Sequence, residues 1–429
     1  MNRTSLKPFC ILIITCLSMP LLAQNVTIPD SIFLYALIDV GVDTNEDSLI
    51  SFSEAEAVTN LDVSNDGSTE KINSMQGIEA FIHLDTLFCG GNNLDSLNLS
   101  MNLSLRYAHC RKNRIKNLIV DHCTLLEYLH AGNNSLRSVM LTDNVALNHL
   151  NLSHNVLTFI DVSANTALEH LNFGSLTNNN LPSLDISKNV LLKYLDCSGS
   201  RLTSLDISNN SSLNYLYCNQ NDITALDVSN NKSLLEVSCY QNDLTALDFS
   251  NNYILFKLFC ESNKLTSLKV HGPHIIAPYL DRLYCSGNQL TSLDLSGVSG
   301  LSDLRIKNMP SLGGVCVWEL PFPTSGLRLD TTGSPNVYFT DNCEAIGIQS
   351  NLQTKISIFP NPFTDLITIE LAGLRKYEIK ITSTKGQLVQ AVHLDGSRLE
   401  LDLSTYTKGI YFITVSFDES VITKRIVKL

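Results

Sequence analysis

A 21-residue unit repeats through the middle of the chain and limits what this sequence can fold into. Three consecutive copies read LNYLYCNQNDITALDVSNNKS from Leu213, LLEVSCYQNDLTALDFSNNYI from Leu234 and LFKLFCESNKLTSLKVHGPHI from Leu255. The other copies begin at Leu84, Leu105, Leu126, Leu147, Leu168, Leu192, Leu280 and Leu301. A fixed period of this length predicts a solenoid, which presents a long surface rather than an enclosed pocket.

Each unit has the pattern of short strands. In the copy from Leu213, Leu216 and Cys218 alternate with polar or aromatic residues, as in a strand with one buried face. Asn221 is expected to turn inward and bind backbone groups at the bend, because buried polar groups need partners. The rest of the unit is too short for a helix, and residues 223–228 predict a second extended run. The predicted fold is therefore mostly β, with a parallel sheet made by stacked coils.

Residues 1–23 predict export. Arg3 and Lys7 precede an apolar run over 9–17, and residues 21–23 form a plausible cleavage site, as in a Sec signal peptide. A membrane anchor would need a longer apolar run, and no later stretch is long enough to span a bilayer. The net charge of −12 disfavours nucleic acid as a partner, because the phosphate backbone attracts clustered Lys and Arg.

A cysteine recurs at one inward position of the repeat. The members of this column are Cys89, Cys110, Cys197, Cys218, Cys239, Cys260 and Cys285. Neighbouring strands lie about 4.8 Å apart, more than the roughly 3.8 Å between the Cβ atoms of a disulfide. We therefore expect buried free thiols rather than chained disulfides or a metal site. With the L-x-x-L-x-L-x-x-N signature, residues 78–315 resemble the leucine-rich repeats of internalin-like bacterial surface proteins, particularly a cysteine-ladder subtype.

After the predicted signal peptide, which contains Cys10 and Cys16, three further cysteines lie outside this column. Cys316 and Cys343 flank the segment in which the last coil must be capped, 316–345. We expect a disulfide between them, because an exported chain matures in an oxidising compartment. Cys123 replaces the asparagine of its own column and is expected to be a free, buried thiol.

An acidic loop precedes the repeats, within a segment, 24–77, that we expect to form a small helical amino-terminal cap. Its residues 43–54, DTNEDSLISFSE, resemble an EF-hand calcium loop. The resemblance implies ligands from Asp43, Asn45, Asp47, the Leu49 carbonyl, Ser51 and Glu54. Ser48 replaces the glycine of the motif, where a left-handed backbone costs roughly 1 kcal/mol, so weak, structural calcium binding is expected. The alternative is an acidic turn between helices that holds no metal.

The composition changes after Cys343. Residues 346–354 have the character of a linker, and 355–429 alternate short strands with turns, which predicts a small Ig-like β-sandwich. The residues that carry a resemblance in this segment are Pro360, Asn361, Pro362, Gly386, Gly409, Tyr411, Lys424, Arg425 and Lys428. They resemble the type A sorting domain of the type IX secretion system of Bacteroidetes. The resemblance implies passage through the outer membrane, followed by attachment to the cell surface or release.

Two columns of strand side chains are predicted to point outward from the sheet. The candidate ligand-binding residues are Tyr107, Tyr128, His149, His170, Tyr194 and Tyr215 in one column, with Tyr217 and Tyr284 in the next. Exposed aromatic residues are enriched where partners bind, and flat rings also suit sugars. Aromatic neighbours also stabilise a sheet without any ligand, so a purely structural role stays open. His149 and His170 could alternatively take a metal.

A column of aspartates lies on another side of the repeat. Its members are Asp161, Asp185, Asp206, Asp227, Asp248 and Asp294. Like charges this close repel each other, so we expect these side chains to accept hydrogen bonds from turn backbone rather than to hold cations.

The sequence leaves two functional hypotheses. The first is a secreted or cell-surface protein that binds a protein or glycan through its exposed sheet face. The second is a structural spacer or self-assembling surface component. An enzyme is not expected, because the chain has no G-x-S-x-G, no H-E-x-x-H and no phosphate-binding glycine loop.

Overall fold

The computed structural model describes residues 25–65, 67, 69–175, 179–271, 279–343, 357–384, 387–417 and 420–429. The predicted signal peptide, the predicted linker and Gly386 lie outside these residues. The chain divides into two compact units, residues 1–192 and 193–429. No helix among the described residues is long and apolar enough to cross a bilayer.

The first unit begins with short helices. Helix α1 spans Ser31–Asp39, α2 spans Phe52–Ala57, and a turn of 3-10 helix spans Ile78–Ala80. The amino-terminal segment is therefore helical, as the sequence predicts.

Asp30 caps helix α1 and ties it to the start of the repeats. Its Oδ1 accepts hydrogen bonds from the amides of Ile32 and Phe33, at 2.9 and 3.2 Å. Its Oδ2 accepts from the amides of Asn73 and Ser74, at 2.7 and 2.9 Å. Burial raises the pKa of Asp30, but these four hydrogen bonds outweigh it and lower the pKa below its usual value.

The repeats of the first unit form a parallel sheet. Its strands are β1 (Asn60–Asp62), β2 (Thr86–Phe88), β4 (Tyr107–His109), β6 (Tyr128–His130), β7 (His149–Asn151) and β8 (His170–Asn172), and a second pair consists of β3 (Ser96–Asn98) and β5 (Asn117–Ile119). Tyr107 pairs with Tyr128, which pairs with His149, so residues 21 positions apart become neighbours. Strand β1 shows that the sheet begins inside the segment predicted as the cap.

The second unit continues this pattern with its own strands. One sheet row contains β9 (Tyr194–Asp196), β10 (Tyr215–Tyr217), β11 (Glu236–Ser238), β13 (Lys257–Phe259), β15 (Arg282–Tyr284), β17 (Asp303–Arg305) and β19 (Arg328–Asp330). The other side of the coils contains β12 (Ala246–Asp248), β14 (Ser267–Lys269), β16 (Ser292–Asp294), β18 (Gly314–Cys316) and β20 (Tyr338–Thr340).

The repeat therefore extends past its predicted end at residue 315. Strand β19 pairs in parallel with β17, and β20 pairs in parallel with β18. Backbone pairing does not require the leucine pattern, which is why these last coils escape a search for the motif. The predicted cap, 316–345, supplies further coils of the ladder.

Leucines and cysteines fill the interior of the coils. Leu216 and Cys218 are fully buried, whereas Tyr215, which directly precedes Leu216, is 38% exposed. Eight described cysteines are buried and free: Cys89, Cys110, Cys123, Cys197, Cys218, Cys239, Cys260 and Cys285. Burial raises the pKa of Cys110 and of Cys218 to about 12. These side chains are therefore protonated thiols at neutral pH and pack as small hydrophobes.

Asparagines join each coil to the one before it. The Nδ2 of Asn221 donates to the carbonyls of Cys197 and Cys218, at 3.0 and 2.9 Å, and its Oδ1 accepts from the amide of Leu202 at 2.9 Å. The same bonding recurs at Asn113, Asn134, Asn155, Asn242, Asn263 and Asn288. The inward asparagine predicted from the repeat is confirmed.

The predicted aspartate column also behaves as expected. The amide of the serine two residues on donates to each carboxylate, for example from Ser229 to Asp227 and from Ser250 to Asp248, both at 2.9 Å. These bonds lower the pKa of Asp227. The carboxylates act as turn acceptors.

The carboxyl-terminal segment is a small β domain. Its strands are β21 (Ser357–Phe359), β22 (Leu366–Ser383), β23 (Leu388–Asp402), β24 (Gly409–Phe417) and β25 (Ser420–Lys428). They form one antiparallel sheet in the order β21-β22-β24-β25, with β23 also paired to β22. The predicted small β domain is confirmed, and hydrogen bonds join its strands into one sheet around a shared core. The long strand β22, irregular between Glu370 and Arg375, joins what would otherwise be separate sheets.

We predict that Asn221→Ala lowers the free energy of unfolding by about 2–4 kcal/mol, because it leaves buried carbonyl and amide groups without partners. Asn230→Ala is the matched control; this exposed side chain makes only one weak bond, of 3.4 Å, to the carbonyl of Ser208. Its cost should stay below about 0.5 kcal/mol. Urea denaturation measures both, and equal losses would contradict the role of the asparagine ladder.

Candidate binding face

The outward residues of strands β2, β4, β6, β7 and β8, with the residue two positions after each strand, form a surface that we call the imidazole face. It comprises Thr86, Phe88, Gly90, Tyr107, His109, Arg111, Tyr128, His130, Gly132, His149, Asn151, Ser153, His170, Asn172 and Gly174. They alternate with buried residues such as Leu129 and Leu150. None of these fifteen positions holds Asp or Glu.

Ring contacts connect the predicted binding residues of this face. His149 stacks on Tyr128 with ring centroids 4.3 Å apart and on His170 with centroids 4.0 Å apart, with interplanar angles of 15° and 16°. Tyr107 lies next in the row, 6.2 Å from Tyr128. The structure thus brings these four residues together.

A second row of rings runs beside the first. His130 meets His109 edge to face at 4.6 Å, and His109 lies 5.7 Å from Phe88. From this column the sequence predicted only Tyr217 and Tyr284 as binding residues, both in the second unit. Reading the two columns together would have revealed four imidazoles on adjacent strands.

Burial keeps three of these imidazoles, those of His130, His149 and His170, neutral. It lowers the pKa of His130 to about 4, with smaller contributions from the positive forms of His109, Arg111 and His149. Burial likewise lowers the pKa of His149, and burial together with His149 lowers that of His170 to about 4. The pKa of Tyr128 is raised by burial. At neutral pH the row therefore consists of uncharged, polar rings.

Gly132 lets three polar groups converge on the imidazole face. A Cβ at this position would lie 2.9 Å from Ser153 Oγ, and 3.1 Å from both Asn151 Oδ1 and His130 Nε2. The amide and hydroxyl of Ser153 donate to Asn151 Oδ1, at 3.0 and 2.7 Å. A side chain at position 132 would have to displace one of these three side-chain ends, so glycine keeps this recess open.

The predicted residues of the second unit have a different setting. Tyr194 lies 6.3 Å from Tyr215 and 5.5 Å from Tyr217 between ring centroids. The hydroxyl of Tyr217 donates to Glu236 at 3.2 Å, and Lys257 forms an ion pair with the same carboxylate at 2.9 Å. Burial raises the pKa of Tyr194 to about 12, so its hydroxyl remains a donor.

Tyr284 belongs to a charged cluster, and its ring also lies 4.9 Å from that of Phe259 between centroids. Its hydroxyl donates to Asp303 Oδ2 at 2.8 Å, and the guanidinium of Arg305 lies 3.9 Å above its ring. Arg305 and Arg328 also approach Asp303, at 3.3 and 4.0 Å. This cluster was not predicted from the sequence, although acidic and basic residues at equivalent positions of adjacent coils indicate it.

The acidic loop of the cap is closed by its own hydrogen bonds. The amide of Asp47 donates to Asn45 Oδ1 at 2.8 Å, that of Ser48 to Asp43 Oδ2 at 2.9 Å, and that of Leu49 to Asp47 Oδ1 at 2.9 Å. Ser48 has φ 65°, the left-handed conformation that the loop motif requires.

Glu54 closes the other end of this loop. Its Oε1 accepts from the amide of Thr44 and its Oε2 from the amide of Ser51, both at 2.9 Å. Burial raises the pKa of Glu54, but the hydrogen bonds from Ser51 and Thr44 prevail and lower it to about 2. The carboxylate is therefore ionised, and a cation would have to replace some of these bonds.

Metal-ligating side chains converge at a different place. Within the described part of the chain, the group of three whose ligand atoms all lie within 4.8 Å consists of Asp294, Cys316 and Cys343. The structure joins Cys316 to Cys343 by a disulfide, with Cα atoms 5.1 Å apart. This group therefore offers no thiolate pair to a metal.

The residues of the sorting resemblance stabilise the last domain. Asn361, between Pro360 and Pro362, donates through Nδ2 to the carbonyl of Arg425 and accepts the amide of Val427, both at 3.0 Å. Gly409 begins β24, and Lys424 and Arg425 are exposed on β25.

Two other residues of this domain bind backbone. The hydroxyl of Tyr411 donates to the carbonyl of Thr407 at 2.8 Å, which resembles a tyrosine corner. Lys428 Nζ is buried and donates to the carbonyls of Leu403 and Ser404. These contacts explain the motif residues as parts of the fold.

Residues 357–429 match the family described as the secretion system C-terminal sorting domain. The chain carries a type IX sorting domain. This domain directs export to the cell surface or the surrounding medium, so the mature protein works outside the cell. No curated protein matches the chain by sequence.

Solved structures show the fold of the repeats. The functional domain of InlJ from Listeria monocytogenes, which includes a cysteine ladder, is 25% identical, covers 94% of this chain and 98% of its own, and has a TM-score of 0.52. An internalin, InlF, from the same species is 20% identical, covers 78% and 97%, and has a TM-score of 0.50. A TDR receptor is 21% identical, covers 67% and 66%, and has a TM-score of 0.51. The predicted internalin-like fold with a cysteine ladder is confirmed.

We predict that the imidazole face makes stability depend on pH. Folding lowers the pKa of His130 to about 4 from its ordinary value of 6.5. The stability associated with neutral His130 is therefore fully present above the pKa of the unfolded state, and it is lost as the pH falls towards the pKa of the folded state. When the pH is lowered from 7.5 to 4.5, the free energy of unfolding of the His130→Asn variant should fall by about 1–2 kcal/mol less than that of the unmodified protein, allowing for solvent screening.

Urea denaturation at the two pH values measures this difference. The exposed His154, in the following turn, provides the control His154→Asn, which should leave the pH dependence unchanged. An identical pH dependence of the His130→Asn variant and the unmodified protein would contradict the burial argument.

Proposed function

We propose that this chain is an exported protein that binds a protein or glycan partner through the outward side chains of its parallel sheet, in adhesion or recognition. The observation that carries the proposal is the stacked row of Tyr128, His149 and His170 on a regular surface. Aromatic residues on a rigid frame bind partners at low cost in conformational entropy. The sorting domain supports the proposal, because it takes this surface outside the cell.

A triple variant tests this function. Tyr128→Ser, Tyr194→Ser and Tyr215→Ser together should reduce attachment to cells or binding on glycan and protein arrays by about tenfold or more. The control replaces Tyr35, Tyr279 and Tyr338 with Ser; these are exposed by 62%, 60% and 52% and lie outside the face. Circular dichroism checks folding.

Unchanged attachment of the folded triple variant would contradict the binding function. Filament formation by the purified protein would instead favour a structural spacer, because ring pairs also stabilise a sheet.

We further propose that residues 43–54 bind calcium weakly and stabilise the cap. Asp43, Asn45, Asp47, the Leu49 carbonyl, Ser51 and Glu54 are the ligands, and the left-handed Ser48 supports the loop geometry. With Kd values of about 10⁻⁴–10⁻³ M, 10 mM calcium should stabilise the cap by about 1.4–2.7 kcal/mol.

Thermal denaturation in calcium and in chelator measures the effect. Ser48→Gly should enlarge the shift, because glycine adopts the left-handed conformation without strain. Glu46→Gln, which changes a charge outside the ligand set, is the control. Equal melting temperatures in calcium and in chelator would remove the proposal.

A further inference from the structure

We propose that the imidazole face binds an acidic polysaccharide whose carboxylates lie over His130 and His149. The inference rests on the proposed binding function and names the class of ligand. It follows from the charge, the ring geometry and the side-chain types of this face.

The charge of the face differs from that of the chain. Asp and Glu number 42 against 30 Lys and Arg, yet none of the fifteen positions of the imidazole face is acidic. The equivalent positions of the second unit include Asp196, Glu236, Glu261 and Asp303. The lack of carboxylates is therefore a property of the five coils from β2 to β8 and is not required by the repeat; the nearest acid in the same column is Asp62 on β1, which pairs with Phe88 at the edge of the face. It leaves a surface that does not repel an anion.

The stacking leaves the edge of His149 as its polar contact. Tyr128 covers one ring face and His170 the other. The nitrogen atoms of an imidazole lie in the ring plane, so they donate or accept from the edge. A ligand above the row can therefore reach His149 only through hydrogen bonds in that plane.

His130 provides the second contact in the neighbouring column. Its Nε2 lies 3.1 Å from the Cβ position of Gly132, beside Asn151 Oδ1 and Ser153 Oγ. This polar recess suits a carboxylate or a sugar hydroxyl. An imidazolium that donates to a carboxylate makes a charge-assisted hydrogen bond, which is stronger than a neutral one.

Binding of an anion is coupled to protonation. The charged groups that act on His130 are His109, Arg111 and His149, and all three lower its pKa. On the flank, Glu127 pairs with Arg106 at 2.7 Å and accepts from the Tyr107 hydroxyl at 3.4 Å. A ligand carboxylate supplies the opposite charge and raises the pKa of the imidazoles it contacts. Binding therefore takes up protons and strengthens as the pH falls from 7.5 to 5.

The side-chain types favour a polysaccharide over a peptide. The fifteen positions contain rings, amides, hydroxyls and glycines but no Leu, Ile, Val or Met. Peptide recognition usually needs apolar pockets for anchor side chains, which this face lacks. Arg111 is its single Lys or Arg residue, so a densely sulfated chain would find too few cations.

The experiment measures binding of the full chain to four probes at pH 7.5 and pH 5 by biolayer interferometry. The probes are polygalacturonate, heparin, poly-glutamate and neutral dextran. Polygalacturonate should bind about tenfold or more tightly at pH 5 than at pH 7.5, as expected for uptake of at least one proton. Dextran should not bind, and heparin and poly-glutamate should bind more weakly.

Two substitutions already used by neighbouring coils remove the titrating groups. His130→Asn places the residue found at Asn151, and His149→Tyr the residue found at Tyr128, so both keep the packing of the repeat. The double variant should bind polygalacturonate with less than threefold dependence on pH. His154→Asn is the control and should retain the full dependence.

Each contrary result has its own meaning. Absent or pH-independent binding of polygalacturonate, or equal binding of dextran, overturns the inference. If heparin binds more tightly than polygalacturonate, the assignment of carboxylates as the bound groups is overturned. If poly-glutamate binds more tightly than polygalacturonate, the assignment of a polysaccharide as the ligand is overturned. If the inference fails while the triple tyrosine variant still loses attachment to another partner, the proposed function survives.

Discussion

Hydrogen bonding from each coil to the one before it is the constraint on which the rest of the structure depends. Asn231 shows why: it is fully buried, and its Nδ2 donates to the carbonyls of Ile207 and Asn210, both 2.9 Å away in the preceding coil. An isolated coil would leave such carbonyls without partners in a dry interior, which is costly. A coil therefore becomes stable only when its neighbours are present, and the register between coils is set by these bonds.

That register explains both the interior and the surface. Because residues 21 positions apart become neighbours, the cysteines form a column whose members are too far apart to pair, and they remain thiols. The same register places His149 directly between Tyr128 and His170. The surface chemistry is thus a direct consequence of which residue each copy of the repeat carries at an outward position.

The repeat made most of the fold predictable, and the exceptions have physical causes. Leu216, Cys218 and Asn221 could be placed inward from one copy, because period and burial follow from the pattern. Strand β19 could not be found this way, since backbone pairing continues where the leucine pattern fades. The cluster around Tyr284 depends on side-chain conformations, which a column of letters does not contain.

The cap and the sorting domain show the same limit. The spacing in residues 43–54 predicted the oxygen-rich loop and the left-handed Ser48, but not that Glu54 accepts three backbone amides. Similarly, alternating strands predicted a β domain, whereas the continuous strand β22 that joins them into one sheet depends on long-range pairing.

The fold does not require imidazoles at positions 130 and 149. Asn151 and Tyr128 occupy the positions equivalent to His130 and His149, so the repeat accepts residues that do not titrate there. Imidazoles at these positions instead reduce stability in acid, because burial disfavours their charged form. Groups that the scaffold can replace, and that weaken it at low pH, support the proposed contact with a ligand at their own surface. The same burial that lowers their pKa makes them responsive to an anion, since a ligand charge acts more strongly where water is excluded.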